Sequence, residues 1–284
     1  MNNNSPFQKV ALEDFQDAAK DDQLHILYLG NEGMLFGYRG FFFAFDPYLS
    51  YYTDQNCCTP LVKWVRRYAP PYEGKDLAFI SALMLSHGHY DHSDPYTLES
   101  LLSASYQGKI LFPAAEGPRR KEYHLDVPNT ILAHADHSIQ IGPLKVTPIP
   151  AAHEELHQDK NGAYFELGYL AEIGPFRIFH AGDMCPYPGL QERLGELDVA
   201  CMPINGRSAY KKNTLDIIGN FTIPETVSIA KAAHARLLIP MHYDLYDVNQ
   251  ADPKEFIHEA KTKAPEVRIA LPRPGESMVI EPKK

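Results

Sequence analysis

Four apolar runs in this 284-residue chain end on a histidine or an aspartate. FISALMLS (79 to 86) leads into His87, PIPAA into His153, FRIFHAG into Asp183 and RLLIPM into His242. A continuous apolar run predicts a strand covered on both faces. Polar groups at the ends of such strands collect along one sheet edge in layered α/β proteins. The pattern therefore predicts an α/β protein with one site assembled from strand-end loops that are far apart in sequence.

The rest of the chain fits such a plan. LHILYLG (24 to 30) and FFFAF (41 to 45) read as strands around the glycine-rich NEGMLFGYRG, predicting an antiparallel opening. Asp94 before Pro95 predicts an N-cap and a helix to about Ser105. KILFP, TILAHA, SIQIGPLKVTPIPA, AYFELGYLAEI and FRIFHAGD predict a second sheet. DVACMPI, a helix opened by the capping box Thr222-Ile-Pro-Glu225, RLLIPMH and a helix from about Pro253 predict a closing βαβα stretch. No repeat or linker divides the chain, so one domain over 1–284 is expected. Residues 50–76, rich in tyrosine and proline and holding Trp64, predict an insertion or lid with at most a short helix around LVKWVRRY.

Charge narrows the partners. A net charge of −9 repels polyanions, so neither nucleic acid nor an anionic membrane is an expected partner. No segment approaches the roughly 18 apolar residues of a membrane helix, and no secretory leader is visible, which reads as a cytoplasmic protein. Cys57, Cys58, Cys185 and Cys201 are expected as free thiols. Homo-oligomerisation stays open.

The densest chemistry is SHGHYDHSD, where His87, His89, Asp91 and His92 follow a buried strand within six residues. Imidazole and carboxylate suit manganese, zinc or iron, and this spacing in a loop points the side chains in several directions, enough to surround two neighbouring ions. A site without cysteine favours catalysis over structural zinc. His153, Asp183 and His242 are the candidates for the remaining ligands. His153 is preferred over His157; His180 and Cys185 flank Asp183 as competitors for metal, of which His180 reads as a supporting or core residue. His25, His124, His134, His137, His234 and His258 read as solvated or core histidines.

Taken in order, His87-x-His89-x-Asp91-His92, His153, Asp183 and His242 resemble the metallo-β-lactamase superfamily of metal-dependent hydrolases. The resemblance implies an αββα four-layer sandwich, two mixed β-sheets with helices on the outer faces. It implies His87, His89 and His153 on one divalent ion, Asp91, His92 and His242 on another, Asp183 bridging them, and Asp46 supporting the histidine loop. MPINGR (202 to 207) and GNFTIPETVSIAKAAHARLLIPMHYD (219 to 244) are similar to the L-ascorbate-6-phosphate lactonase group.

Two divalent ions, Mn or Zn or Fe, would lower the pKa of a shared water towards about 7, giving a metal-bridging hydroxide as nucleophile. Asp91 would orient it, and His242 or Tyr243 would protonate the leaving group. The basic island Arg207, Tyr210, Lys211 and Lys212 follows a strand, and Arg207 offers a planar fork to an anion. The expected substrate is a small phosphorylated or carboxylated lactone, held by Arg207 and Tyr210. The alternative is a phosphodiesterase or phospholipase-D-like hydrolase on the same two ions, and a metal-binding module without turnover is a third reading.

Overall fold

The computed structural model describes residues 9–283. The first sheet takes its strands from the N-terminal half and closes with the last strand of the chain. The antiparallel meander β1 (Leu24–Gly30), β2 (Gly33–Tyr38) and β3 (Phe41–Phe45) continues through parallel β4 (Ala82–Met84), β5 (Lys109–Pro113) and β6 (Thr130–Ala133). The second sheet begins with the meander β7 (Ile139–Ile141), β8 (Leu144–Pro150), β9 (Leu167–Ile173) and β10 (Phe176–His180). It continues through parallel β11 (Val199–Pro203), β12 (Leu237–Met241) and β13 (Arg268–Ile269). β14 (Ser277–Ile280) returns to the first sheet against β1, giving the orders β14-β1-β2-β3-β4-β5-β6 and β13-β12-β11-β10-β9-β8-β7.

The sheets pack face to face. Ile26, Phe36, Phe43, Phe45 and Met84 of one interleave with Val146, Tyr169, Ile178, Cys201 and Ile239 of the other. The outer face of the first sheet is covered by α1 (Leu12–Ala18) and α3 (Pro95–Ser103), through Phe15, Leu98 and Leu101. The outer face of the second is covered by α4 (Leu190–Leu194), α6 (Ile223–Ala232) and α7 (Pro253–Lys263), through Leu190, Leu194, Val227, Ala230, Phe256 and Ala260. This is the expected αββα sandwich. Both faces of each sheet are buried, which explains why the central strands read as unbroken apolar runs.

Local signals in the sequence map onto this frame. Asp94 caps α3 by accepting from Tyr96 N, with Pro95 in its first turn. Thr222 and Glu225 form the reciprocal capping box of α6. β4 is shorter than its apolar run, because Phe79 to Ser81 belong to the turn before it. LVKWVRRY forms no helix. Val62 and Arg66 are buried while Lys63, Val65 and Arg67 are exposed, and this alternation of two is that of extended chain. The nearby helix is instead α2 (Tyr52–Asn56), and α5 (Ala209–Leu215) buries none of its residues, so no apolar stripe announced it. Among the described residues no helix is long and apolar enough to cross a membrane.

Candidate metal centre

The histidine loop leaves β4 through Ser86. Its backbone N donates to Asp46 Oδ1 at 2.7 Å, and its hydroxyl donates to Asp46 Oδ2 at 2.5 Å. Ser86 Oγ in turn meets His87 Nδ1 at 2.9 Å, and Asp46 Oδ2 takes His92 Nδ1 at 2.9 Å. Asp46 is fully buried just past the end of β3 and sits at a left-handed φ of 39°, and its hydrogen bonds to Ser86 and His92 hold its carboxylate under the loop. Asn220, ahead of α6, accepts from His153 Nδ1 at 3.1 Å and donates to Asp183 Oδ1 at 2.7 Å. With their Nδ1 atoms held this way, the imidazoles of His87, His92 and His153 turn their Nε2 atoms inward.

Asp183, between β10 and α4, lies where these nitrogens converge. Its Oδ2 faces His87 Nε2 at 3.7 Å and His153 Nε2 at 3.5 Å, and its Oδ1 faces His92 Nε2 at 3.6 Å and His242 Nε2 at 3.5 Å. Asp91 Oδ2 is 3.4 Å from His242 Nε2, and His89 Nδ1 is 2.9 Å from His87 Nε2. Two donor groups result, His87, His89, His153 and Asp183 in one, and Asp91, His92 and His242 in the other. The seven residues expected as ligands are thus brought together. His157 is instead half exposed beside Glu166, with Nδ1 3.4 Å from its Oε2. His180 is buried flat against Phe45 and donates Nε2 to the Glu32 carbonyl at 2.8 Å.

The residues fit divalent cations. Most of these separations are too long for hydrogen bonds, yet donors about 2.1 Å from a tetrahedral ion stand about 3.4 Å apart. His92 Nε2 is buried without a hydrogen-bond partner among the described residues, as a nitrogen that ligates a cation would be. The electrostatics of the centre favour positive charge. Burial opposes ionisation of Asp91 and Asp183, yet His92 and His242 hold both carboxyls below their ordinary range. Burial likewise opposes the His242 cation, but Asp183 and Asp91 lift it to about 9. His153, away from the second group, is pushed by burial down to about 4 against the pull of Asp183.

A cavity of about 230 Å³ opens over the two groups, lined by His89, Asp91, His153, Asp183 and His242 below and by Trp64, Tyr90, Tyr246, Ile217 and Ile218 around the walls. Thr53, Cys57 and Trp64 bring residues 50–76, read in the sequence as an insertion or lid, into this wall.

The expected substrate contacts fall elsewhere. Arg207 gives both terminal nitrogens to Glu225, each at 2.7 Å, and one also to the Asn220 carbonyl at 3.1 Å, so its fork is already filled. Tyr210 points to solvent on α5, and Lys212 pairs with Glu154. Tyr243 does not line the metal cavity. It faces a separate one of about 510 Å³ with Tyr68, Asp244 and Pro272, the chain turning away after β12 at His242, whose φ is a left-handed 55°. Lys211 alone of the basic island reaches towards the cavity, donating to the Asn205 carbonyl at 2.7 Å and to Asn249 Oδ1 at 2.9 Å. Sequence reasoning passed over Asn31, Glu32, Ser86, Asn205 and Asn220, since an asparagine or a glutamate in a turn carries no metal signature of its own.

Comparison with known proteins agrees with this geometry. The sequence profile of the beta-lactamase superfamily domain matches residues 44–243, a stretch that holds all seven candidate ligands. A metal-dependent hydrolase of Rubrobacter xylanophilus is 24% identical over 216 residues, covering 73% of this chain and 82% of that protein. Another from Archaeoglobus fulgidus is 26% identical over 202 residues, covering 69% and 80%. A possible metal-dependent hydrolase from Veillonella parvula shares the fold, with a TM-score of 0.72 at 15% identity over 91% of this chain and 100% of that one. The two-sheet sandwich, the donor groups along one edge and the matching profile lead to one assignment: this chain belongs to the metallo-β-lactamase superfamily.

Proposed function

We propose that the protein is a metal-dependent hydrolase acting on a small carboxylic ester or lactone at a centre of two divalent cations. The observation that carries this reading is Asp183, whose two oxygens each face a separate pair of imidazoles at 3.5–3.7 Å. When bound, divalent cations polarise a scissile carbonyl and make a water acidic enough to attack at neutral pH. His87, His89 and His153 would hold one cation, Asp91, His92 and His242 the other, and Asp183 both. Asp91 is the donor best placed to orient the attacking water, because its carboxylate lines the cavity and is steadied by Asn31 Nδ2 at 3.3 Å. Trp64, Tyr246, Ile217 and Ile218 would cover the apolar part of the substrate and exclude bulk water. Tyr246, whose hydroxyl lies 3.0 Å from Thr53 Oγ1, belongs to the cavity wall as Tyr243 does not, and its phenol is the better candidate to hand a proton to a departing alkoxide.

The wall favours a carboxylic ester over a phosphodiester. Among the described residues that line this cavity there is no lysine or arginine, and Asp216 adds a carboxylate to it. A phosphodiester held over the cations would find no basic partner among the described residues that line the cavity. For the same reason an anionic tail on the lactone would rest on Lys211 at the margin, not on Arg207. The test is reconstitution with Mn, Zn and Fe separately, followed by metal analysis and a panel of neutral lactones, anionic lactones and phosphodiesters. Two ions per chain with turnover of lactones is expected. One ion per chain, or turnover confined to phosphodiesters, would overturn the reading.

A further inference from the structure

The turn between β1 and β2, Gly30-Asn31-Glu32-Gly33, lies outside residues 44–243 that the family profile matches, yet it is pressed against the second donor group. Asn31 Nδ2 donates to the Asp91 carbonyl at 3.2 Å and to its Oδ2 at 3.3 Å. The Asn31 carbonyl accepts from His242 N at 3.1 Å. Glu32 Oε2 stands 3.8 Å from His92 Nδ1. All three residues of that group therefore touch one turn. It has little slack, since a Cβ at Gly33 would sit 2.9 Å from Leu29 Cβ, and Asn31 is held at a left-handed φ of 56°.

Glu32 is 0% exposed, and neither of its carboxylate oxygens has a hydrogen-bond partner among the described residues. Its carboxylate lies within one compact cluster with His92 and Asp183. Among the described residues no lysine or arginine pairs with Glu32, Asp46, Asp91 or Asp183. A buried carboxylate without a donor or a countercharge is strongly disfavoured. Positive charge nearby removes that cost. The four carboxylates together can carry a charge equal and opposite to that of two divalent cations, and without Glu32 the set is one short.

We propose that Glu32 is a positioning residue for the cation taken by Asp91, His92 and His242, holding it through charge from behind His92 without entering its coordination. The proposal rests on the two-cation reading above. Groups behind metal ligands that orient and polarise them typically contribute about 10- to 100-fold in metal affinity.

The test compares wild type, Glu32→Gln and Glu32→Asp by metal content after equilibration with Mn²⁺ or Zn²⁺ against graded chelator, and by the Tm of each metal-stripped protein. Glu32→Gln should keep one ion as wild type does and lose the other at about 10- to 100-fold higher free metal. Its metal-free Tm should be no lower than that of wild type, because a partnerless buried carboxylate has been removed. Glu32→Asp, which keeps the charge, should bind the second ion more tightly than Glu32→Gln. Equal affinity in Glu32→Gln and wild type, or equal weakening in both variants, overturns the role of charge. Loss of both ions together with a lowered metal-free Tm overturns it in favour of a folding role. Fewer than two ions in wild type itself overturns the two-cation reading instead.

Discussion

At the scale of single residues, Asp183 is the side chain on which both donor groups depend. Asp183→Ala should bring metal content below one ion per chain and abolish hydrolysis while far-ultraviolet dichroism stays that of wild type, because the residue lies in a strand-end loop outside the apolar clusters. His157→Ala, whose ring is half exposed, should leave both near wild type. His242 supplies a pH prediction. Burial disfavours its cation, but Asp183 and Asp91 raise it from the ordinary 6.5 to about 9 in the metal-free protein. The His242 cation therefore stabilises the metal-free fold fully below about pH 6.5, and this contribution fades as pH rises through about 9. A cation must displace that proton, so metal binding should release protons and tighten with rising pH across the same window. Titration calorimetry in buffers of different ionisation enthalpy reads the proton count directly, and no proton release at pH 7.5 would contradict the raised His242.

Elements matter here through their ends. Gly182, just before Asp183, has a φ of 58°, and a Cβ there would lie 2.6 Å from Ser86 Cβ. Gly182→Ala should therefore displace Ser86, the link between Asp46 and the histidine loop, lowering metal affinity as well as Tm. At the start of α6, Arg207 is a strut that ties the loop after β11 to Glu225, a residue also used in the helix cap. The pair is about one-third exposed, so Arg207→Ala should cost about 1 kcal/mol or less of stability. The ratio of kcat/KM on anionic and neutral lactones should hardly change, whereas Lys211→Ala should lower it. A large loss confined to anionic substrates in Arg207→Ala would return Arg207 to the substrate site.

For the whole molecule, two sheets lend strand ends to one centre, so bound metal ties the halves of the sandwich together. Cation at 100 times its Kd stabilises a folded protein by about 2.7 kcal/mol per site. Chelation should therefore lower Tm by several degrees, reversibly on adding Mn²⁺ or Zn²⁺, and an unchanged Tm would count against a site that joins both sheets. The sequence alone determined the buried strands and the clustering of His87, His153, Asp183 and His242 at their ends, because burial on both faces of a sheet writes continuous apolar runs and polar groups stand where those runs stop. The four layers and the division of seven candidate ligands into two groups were legible only through the resemblance to the metallo-β-lactamase superfamily. Capped helices such as α3 and α6 were legible for a similarly local reason, since their caps are made by residues two or three positions apart. Tertiary structure alone decided which way the remaining polar groups face. Arg207 and Tyr243 stand beside predicted strand ends as a substrate clamp or a proton donor would, yet one is taken by Glu225, 18 residues on, and the other turns into a different cavity. Glu32 and Asn220 carry no signature in sequence, and their roles come from partners 60 and 67 residues away, His92 for Glu32 and His153 for Asn220. Charge pairing and hydrogen bonding act over a few ångströms of space at any distance along the chain, so only the folded molecule fixes them.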